Sequence, residues 1–286
     1  MSAIRIAEEA AREPYCRFLG ISETTVEPGH ARLELPFRDE VSNPGRQVHG
    51  GVVSSMLGIA GRVAALSQTE IAGTCSASTI ELNVTYLSSA VGEDIVAQGR
   101  VLRRGKELSH VRSEVANSAG KPLGVAMVIF RTVPGRELPP APLQRPGSED
   151  GELPPFAKSL GGSNYMSAAG IKFESIKDGI ARLALPYRPE ISNSDGALHE
   201  GVIGALVDSA GAMSAWSLVT PVPAMRVSTV SIDVNFCPAP AGQDVTAYAQ
   251  MITRHREIFF NRVDVLASDG TPVAFGSVIY RIVLPQ

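Results

Sequence analysis

Two segments of the sequence, far apart along the chain, carry residues suited to chemistry at a carbonyl group. The first contains Asn43, then His49 and Gly50 at the start of a long apolar run. Gly50 has no side chain, so its N–H can come close to a ligand oxygen. If a helix begins there, the positive end of the helix dipole lies at the same place.

The second segment contains Asp208, the only charge in the apolar run VIGALVDSAGAMSAW. A carboxyl group in apolar surroundings tends to have a raised pKa, which suits proton abstraction near neutral pH. On a helix, positions 204, 208, 211 and 215 share a face, and the other three are Gly204, Gly211 and Ala215. Small residues around a lone acid leave room for a ligand.

These two segments belong to the two copies of an internal repeat with a constant offset of 150 residues, as in His49 and His199. The repeat extends from about Gly20 to Val133 without a gap. Matched positions include Gly51 and Gly201, Ser78 and Ser228, Arg112 and Arg262, and Pro122 and Pro272. A repeat of this length indicates a duplicated domain rather than a solenoid. We predict domains at 1–133 and 156–286, joined by a linker at 134–155 that is rich in proline and charge.

Each copy is predicted to contain one long buried helix and an antiparallel sheet. The helix covers about Val52 to Ser67 in the first copy and Val202 to Leu218 in the second, with apolar or small residues on almost every side. Alternating or β-rich runs separated by short turns predict a strand before the helix and a meander after it. In the first copy these strands are His30–Phe37, Ser78–Leu87, Asp94–Arg103, Leu108–Asn117 and Leu123–Val133. The fold class expected is α+β.

Composition excludes several functional classes. Hydrophobic residues make up 44% of the 286 residues, which is typical of a globular protein. A net charge of −3 gives no broad attraction for nucleic acid, and no apolar run reaches the roughly 20 residues that span a membrane. The three cysteines have no counterparts at the repeat offset, which argues against a duplicated disulfide or metal site. We therefore expect no metal, no cofactor and a cytoplasmic location.

The pattern of Asn43, His49 and Gly50-Gly51, followed by the strand sequence STIELNVTY, resembles the hotdog-fold thioesterases. The similarity is to the PaaI-like branch of acyl-CoA thioesterases, within the 4-hydroxybenzoyl-CoA thioesterase superfamily. In that family an acidic residue lies nine positions after the histidine, which matches Asp208 after His199 in the second copy. The resemblance implies tandem hotdog domains, each with a central helix wrapped by a curved antiparallel sheet.

The resemblance also implies composite active sites, because family members pair two domains and build each site from both. The first copy has Gly58 where the acid is expected, and the second has Glu200 in place of Gly50. Pairing each loop with the opposite helix gives one complete site, made from Asn43, His49, Gly50, Asp208 and Thr229. The other pairing combines Asn193, His199 and Glu200 with Gly58 and Thr79, and lacks the helix carboxylate. We predict one working site per chain.

By this resemblance, Gly50 would donate its N–H to the thioester oxygen, a contact worth about 3–4 kcal/mol in other enzymes. Asp208 would act as general base on water or as direct nucleophile, and the sequence does not separate these roles. Asn43 would hold the thioester or the water, and Thr229 would position the water. His49 is expected to orient the loop rather than carry protons.

Cationic turns near the site are candidates for binding coenzyme A, which would be part of the substrate. They contain Arg103, Arg104 and Lys106, with Arg254 in the equivalent turn of the second copy. We also expect Glu200 to form an ion pair with Arg62 in the incomplete site. A homodimer of tandem chains is expected by analogy.

The leading interpretation is an enzyme that hydrolyses an acyl-CoA thioester to a carboxylic acid and CoA. An alternative is a binding protein that holds acyl-CoA or another lipid-like ligand without turnover, since the acid at position 58 is missing. A hydratase or dehydratase is disfavoured, because Ser42-Asn43-Pro44 lacks the aspartate and the nearby histidine of that pattern. A purely structural role fits least well.

Overall fold

In a computed structural model, which describes residues 2–69, 75–134, 153–157 and 164–285, the two copies share one sheet. The first copy contributes β1 Glu23–Glu27, β2 His30–Leu35, β3 Cys75–Tyr86, β4 Ile95–Arg104, β5 Leu108–Asn117 and β6 Pro122–Pro134. The second contributes β7 Lys172–Lys177, β8 Ile180–Leu185, β9 Arg226–Phe236, β10 Val245–His255, β11 Ile258–Ala267 and β12 Pro272–Val283. The strand order is β1-β2-β4-β5-β6-β3-β9-β12-β11-β10-β8-β7, and every pairing is antiparallel.

The predicted strands are confirmed, with two additions. Strands β1 and β7 precede the first predicted strand of each copy and pair with it as a hairpin. Shorter helices at Ala3–Ala10, Pro14–Leu19 and Asn164–Ala169 lie before these hairpins. Of the predicted linker at 134–155, Pro134 ends β6, and residues 135–152 lie outside the described part of the chain.

The first central helix covers Gly50–Leu66 and the second covers Glu200–Trp216. Both begin two residues earlier than predicted, because a histidine side chain caps each helix start. His49 Nδ1 accepts the N–H of Gly51 at 2.9 Å, and His199 Nδ1 accepts that of Gly201 at the same distance. These bonds satisfy one of the N–H groups that a helix start leaves without an intrahelical partner.

The copies join through strands β3 and β9, about a local two-fold axis. Asn83 pairs with Asp233, its own counterpart at the repeat offset, and the two side chains are 3.3 Å apart. The two central helices also contact each other near their N-termini, where Ser55 Oγ donates to the carbonyl oxygen of Gly51 at 2.6 Å and lies 2.9 Å from that of Gly201. The predicted α+β class and tandem hotdog arrangement are therefore confirmed. None of the described helices is long and apolar enough to cross a membrane.

Candidate active site

His49 and Gly50 lie where the loop of the first copy becomes its central helix. His49 is buried, and burial lowers the pKa of its imidazole to about 4. A neutral ring whose Nδ1 accepts a backbone N–H fits the expected orienting role of His49. Because that bond uses the N–H of Gly51, the N–H of Gly50 remains for a ligand. No described residue accepts it.

Asp208 lies in the middle of the second central helix and is only 4% exposed. Burial raises the pKa of its carboxyl group to about 6, although the hydrogen bond from Thr229 opposes part of the rise. Thr229 Oγ1 donates that bond to Oδ1 over 2.7 Å, from strand β9. The carboxyl group is therefore largely ionised at neutral pH and still basic enough to accept a proton.

Gly50 and Asp208 face each other across the boundary between the copies. A Cβ atom at position 50 would lie 2.7 Å from Asp208 Oδ2, closer than real side-chain contacts allow. A side chain at position 50 would therefore have to displace the carboxylate of Asp208, which burial and the bond from Thr229 hold in place. Tyr86 also contacts Gly50, because its hydroxyl donates to the carbonyl oxygen of Gly50 over 3.1 Å.

A cavity of about 850 Å³ contains the five predicted site residues in its lining, which also includes Tyr86. On the side of the first copy the lining includes polar residues such as Gln47, Ser88 and Ser89. On the side of the second copy, here called the apolar end, it includes Met213, Trp216 and Tyr280, with Arg281 beside them. A cavity whose lining is polar on one side and largely apolar on the other suits a ligand whose halves differ in the same way.

Asn43 and its counterpart Asn193 differ in what their side chains bind. Asn193 Oδ1 accepts the N–H groups of Asp195 and Ala197, each over 3.0 Å, and so stabilises its own loop. Among the described residues, no such contact is made by the side chain of Asn43. Its carboxamide therefore stays available inside the larger cavity.

The incomplete site contains the carboxylate of Glu200, while the helix position expected to carry the acid is Gly58. Thr79 Oγ1 donates to Glu200 Oε1 over 3.3 Å, just as Thr229 donates to Asp208 in the other site. The acid lies at a different position of the helix: Glu200 is at the start of the second central helix, where the first copy has Gly50, and Gly58 replaces the mid-helix acid in the first. A Cβ atom at Gly58 would meet nothing closer than Leu82 at 3.5 Å.

The carboxylate of Glu200 is neutralised by a buried charge cluster, made of Glu13, Arg62, His199 and Glu200. The predicted ion pair is present, with Arg62 Nη1 3.4 Å from Glu200 Oε1. Arg62 also binds both carboxylate oxygens of Glu13, at 2.7 and 2.9 Å, and His199 Nε2 lies 3.4 Å from Glu13 Oε2. The pocket that remains is about 200 Å³.

Each member of the charge cluster is held in its ionised form. Burial alone would raise the pKa of Glu13, but the hydrogen bond from His199 and the charge of Arg62 bring it down to about 2. Burial alone would lower the pKa of His199, but the charge of Glu200 and its hydrogen bonds bring it up to about 10. For Glu200, Arg62 and His199 outweigh burial and lower its pKa. An acid held in this way is a poor base.

The four cations predicted to bind CoA do not line the larger cavity. Arg104 donates to Ser109 Oγ over 2.9 Å, and the guanidinium of Arg254 lies 4.8 Å from the centre of the Phe259 ring. Arg103 and Lys106 are likewise absent from the lining. Arg281 does line it, and pairs with Glu257 at 3.3 Å. Arg103, Arg104 and Arg254 lie at the ends of strands β4 and β10, outside the lining of the cavity.

Several tyrosines have contacts that the sequence did not predict. Tyr86 has Phe236 at the repeat offset, so the loss of one hydroxyl was a readable sign that the sites differ. Tyr15 and Tyr165 are also offset partners, and their hydroxyl groups meet at 2.7 Å between the copies. Their rings lie against the two capping histidines, Tyr15 on His199 at 4.9 Å and Tyr165 on His49 at 4.7 Å.

The fold and the cavity define a hotdog protein with two unlike sites, and comparisons with known proteins agree. A crystal structure of a protein of unknown function with a hot dog fold from Alicyclobacillus acidocaldarius superposes with a TM-score of 0.66 at 16% identity. The match covers 94% of this chain and 99% of that one.

The model of the thioesterase superfamily matches this chain twice, at residues 46–123 and 195–274, and the chain belongs to that superfamily. Human acyl-coenzyme A thioesterase 13 is 31% identical over 105 residues, which is 36% of this chain and 73% of that protein. A protein of Halobacterium salinarum, provisionally named an esterase, is 33% identical over 105 residues, covering 36% and 69%. The predicted class, a hydrolase acting on thioesters, is confirmed at the level of the family.

Proposed function

We propose that this chain hydrolyses acyl-CoA thioesters to a carboxylic acid and CoA, at one composite site between its two copies. The observation that carries the proposal is the meeting of Gly50 with Asp208. An N–H at a helix start and a carboxylate with a pKa of about 6 face the same cavity from different copies. These are the two groups that hydrolysis of a thioester requires.

In the proposed mechanism, the thioester oxygen accepts the N–H of Gly50 at the start of the first central helix. Asp208 removes a proton from water, and the hydroxide adds to the carbonyl carbon. The negative charge on the oxygen is then stabilised by the Gly50 N–H and the helix dipole. When the intermediate collapses, the C–S bond breaks, and the proton on Asp208 passes to the departing thiolate.

Thr229 and Asn43 would support these steps. The hydroxyl of Thr229 fixes one carboxylate oxygen of Asp208, so that the other points toward Gly50. The carboxamide of Asn43 would bind the thioester or the water. Direct attack by Asp208 on the carbonyl is the other route, and turnover in ¹⁸O-labelled water under single-turnover conditions separates the two. Attack by Asp208, followed by hydrolysis of the resulting anhydride at the Asp208 carboxyl carbon, would release a first acid with unlabelled oxygen only.

Thiol release from short, medium, long and aryl acyl-CoAs tests the proposal. Wild-type protein should release thiol from at least one of them, and Asp208→Asn should lose about 10²–10⁴-fold in turnover, the usual contribution of a general base. Glu200→Gln is the matched control, because Glu200 makes the same threonine contact in the other pocket. It should retain turnover per folded molecule.

Two results would overturn the proposal. If no acyl-CoA is turned over but acyl-CoA binds, the chain is the ligand-binding protein considered above. Full activity of Asp208→Asn would show that the acid is not the base. Assembly into a homodimer of tandem chains stays a prediction, which light scattering would test.

A further inference from the structure

The apolar end of the larger cavity is bounded along one side by the second central helix, beyond Asp208. Ser209, Ala212, Met213 and Trp216 follow Asp208 on this side and all line the cavity. Trp216 is the last residue of this helix and is 9% exposed. Its indole N–H donates to the hydroxyl of Tyr280 over 3.1 Å, and the ring of Phe156 lies 5.5 Å away. The end wall is therefore held by contacts from three parts of the chain.

The first copy shows what the equivalent space looks like without this wall. It has Arg62 at the position of Ala212, Leu66 at that of Trp216 and Phe130 at that of Tyr280. Arg62 and Glu200 both line the smaller pocket, and Arg62 is ion-paired with Glu200 and with Glu13. Because Ala212 replaces this arginine, the second copy has an open space beside Asp208. Trp216, eight residues after Asp208, bounds that space.

The length of that space follows from helix geometry. Eight residues at a rise of about 1.5 Å place Trp216 roughly 12 Å along the helix from Asp208. Long side chains on a helix lean back toward its N-terminus, which leaves about 10 Å. An extended hydrocarbon chain, whose C–C bonds are about 1.5 Å long, advances roughly 1.25 Å per carbon. The space therefore takes about eight carbons.

We propose that Trp216 sets the length of the acyl group, and that the substrates are apolar acyl chains of up to about eight carbons or acyl groups with one aromatic ring. This inference rests on the proposed function. Each methylene that enters the apolar end contributes about 0.8 kcal/mol, or roughly a fourfold gain in kcat/KM. The gain should stop where the chain reaches the indole.

The experiment compares kcat/KM for straight-chain acyl-CoAs from two to sixteen carbons, in wild-type protein and in Trp216→Leu. Wild type should peak near eight carbons and fall by tenfold or more at twelve. Trp216→Leu, which takes the residue of the first copy, should move the peak to a chain longer by two to four carbons. Because Tyr280 would lose a donor, Trp216→Leu/Tyr280→Phe is made as well, to reproduce the Leu66 and Phe130 pair.

Trp216→Phe is the control, since it keeps a ring at the wall and should move the peak by at most two carbons. A wild-type optimum at twelve carbons or more, or an unchanged optimum in both leucine variants, would overturn the inference while leaving the proposed function intact. If no acyl-CoA is hydrolysed, the proposed function fails. Calorimetric binding of the same acyl-CoAs then tests separately whether Trp216 limits the length of the bound chain. Affinity that peaks near eight carbons supports the role of Trp216, and affinity that keeps rising to sixteen overturns it.

Discussion

Two pairs of positions related by the repeat, Gly50 with Asp208 and Glu200 with Gly58, distinguish the two sites of this chain. In each pair one residue is a glycine and the other an acid, but the acid lies in the middle of a central helix in one site and at the start of one in the other. Each acid accepts a hydrogen bond from a threonine on the neighbouring strand. Of these two acids, Glu200 has cationic partners that lower its pKa, whereas Asp208 has none among the described residues and its pKa is raised by burial.

The pH dependence of turnover should report the carboxyl group of Asp208. With a pKa of about 6, kcat/KM is expected to fall roughly tenfold per pH unit below that value, because the base must be ionised. Thr229→Val removes a hydrogen bond that lowers this pKa, so the falling limb should move to higher pH. A pH–rate profile with unchanged limbs in the variant would contradict the assignment.

The same burial makes Asp208 unfavourable for stability. A carboxyl group whose pKa is raised by folding binds its proton more tightly in the folded state. Stability is therefore lost as the pH rises from about 4, near the ordinary value, to about 6. Asp208→Asn should therefore raise the free energy of unfolding at pH 7 by on the order of 2 to 3 kcal/mol and change it little at pH 4. Denaturant unfolding at the two pH values measures this.

Position 50 is predicted to accept no side chain without loss of activity. Gly50→Ala would place a methyl group 2.7 Å from Asp208 Oδ2, where it displaces the carboxylate or the peptide. We expect thiol release to fall by about 10²–10³-fold, as when an oxyanion donor is removed elsewhere. Gly204→Ala is the control, because its methyl group would meet nothing closer than Phe236 at 4.0 Å.

The control variant should behave in the opposite way. Alanine in a helix interior is favoured over glycine by roughly 0.5–1 kcal/mol, so Gly204→Ala should raise stability and keep activity. Equal activity losses in both variants would show that any added methyl group disturbs the helices, and that the contact with Asp208 is not the cause.

At the scale of elements, the buried charge cluster ties the N-terminal segment to both copies. Glu13 precedes the helix Pro14–Leu19, Arg62 lies on the first central helix, and His199 and Glu200 begin the second. Arg62 is 11% exposed and faces two carboxylates. The residues of the second site therefore connect the N-terminal segment to the two central helices.

Arg62→Met should destabilise the protein strongly. It leaves Glu13 and Glu200 buried with only His199 as a partner, and breaking a buried ion pair typically costs about 3–5 kcal/mol. Arg112→Ala, which removes an exposed pair with Glu114, should cost at most about 1 kcal/mol. Denaturant unfolding measures both.

A rescue separates loss of charge balance from loss of packing. Removing the acids as well, in Glu13→Gln/Arg62→Met/Glu200→Gln, should recover part of the lost stability. A triple variant as unstable as Arg62→Met would mean that the volume of the arginine side chain, rather than its charge, holds these elements together.

At the scale of the whole molecule, the contacts on the local two-fold axis join residues to their own counterparts. Tyr15 meets Tyr165, and Asn83 meets Asp233. Strand β3 pairs with β9 over five residues, from Glu81–Asn235 to Thr85–Ser231. The copies are thus joined by a continuous sheet, by their central helices and by buried hydroxyl groups, independently of the chain between them.

Cutting the chain between the copies should therefore leave the active site assembled. A protease site introduced within residues 135–152 and cleaved after folding should give two fragments that elute together on size exclusion. Thiol release should stay close to that of the uncut protein, because Gly50 and Asp208 remain held by the shared sheet. The uncut protein carrying the same insertion is the control. Separation of the fragments at micromolar concentration would contradict this account.

The sequence by itself determined the repeat, the α+β class, the strand positions and the residues of the candidate site. These depend on local patterns, such as alternation along Ile180–Leu185 or the apolar run around Asp208. The constant offset of the repeat also indicated that the two sites differ, since Gly58 and Glu200 stand where the matched positions of the other copy have Asp208 and Gly50. The ion pair of Arg62 with Glu200 was predicted by the same reasoning and is confirmed.

Only the tertiary structure decided which groups meet across the boundary between the copies. It added Glu13 to the charge cluster, brought Tyr86 to Gly50 and removed the predicted cationic turns from the cavity. Glu13 lies 49 residues from Arg62, and no local pattern connects them. The contact of Glu200 with Thr79 has the same cause, because it depends on how the two copies pack, which no single segment of the sequence contains.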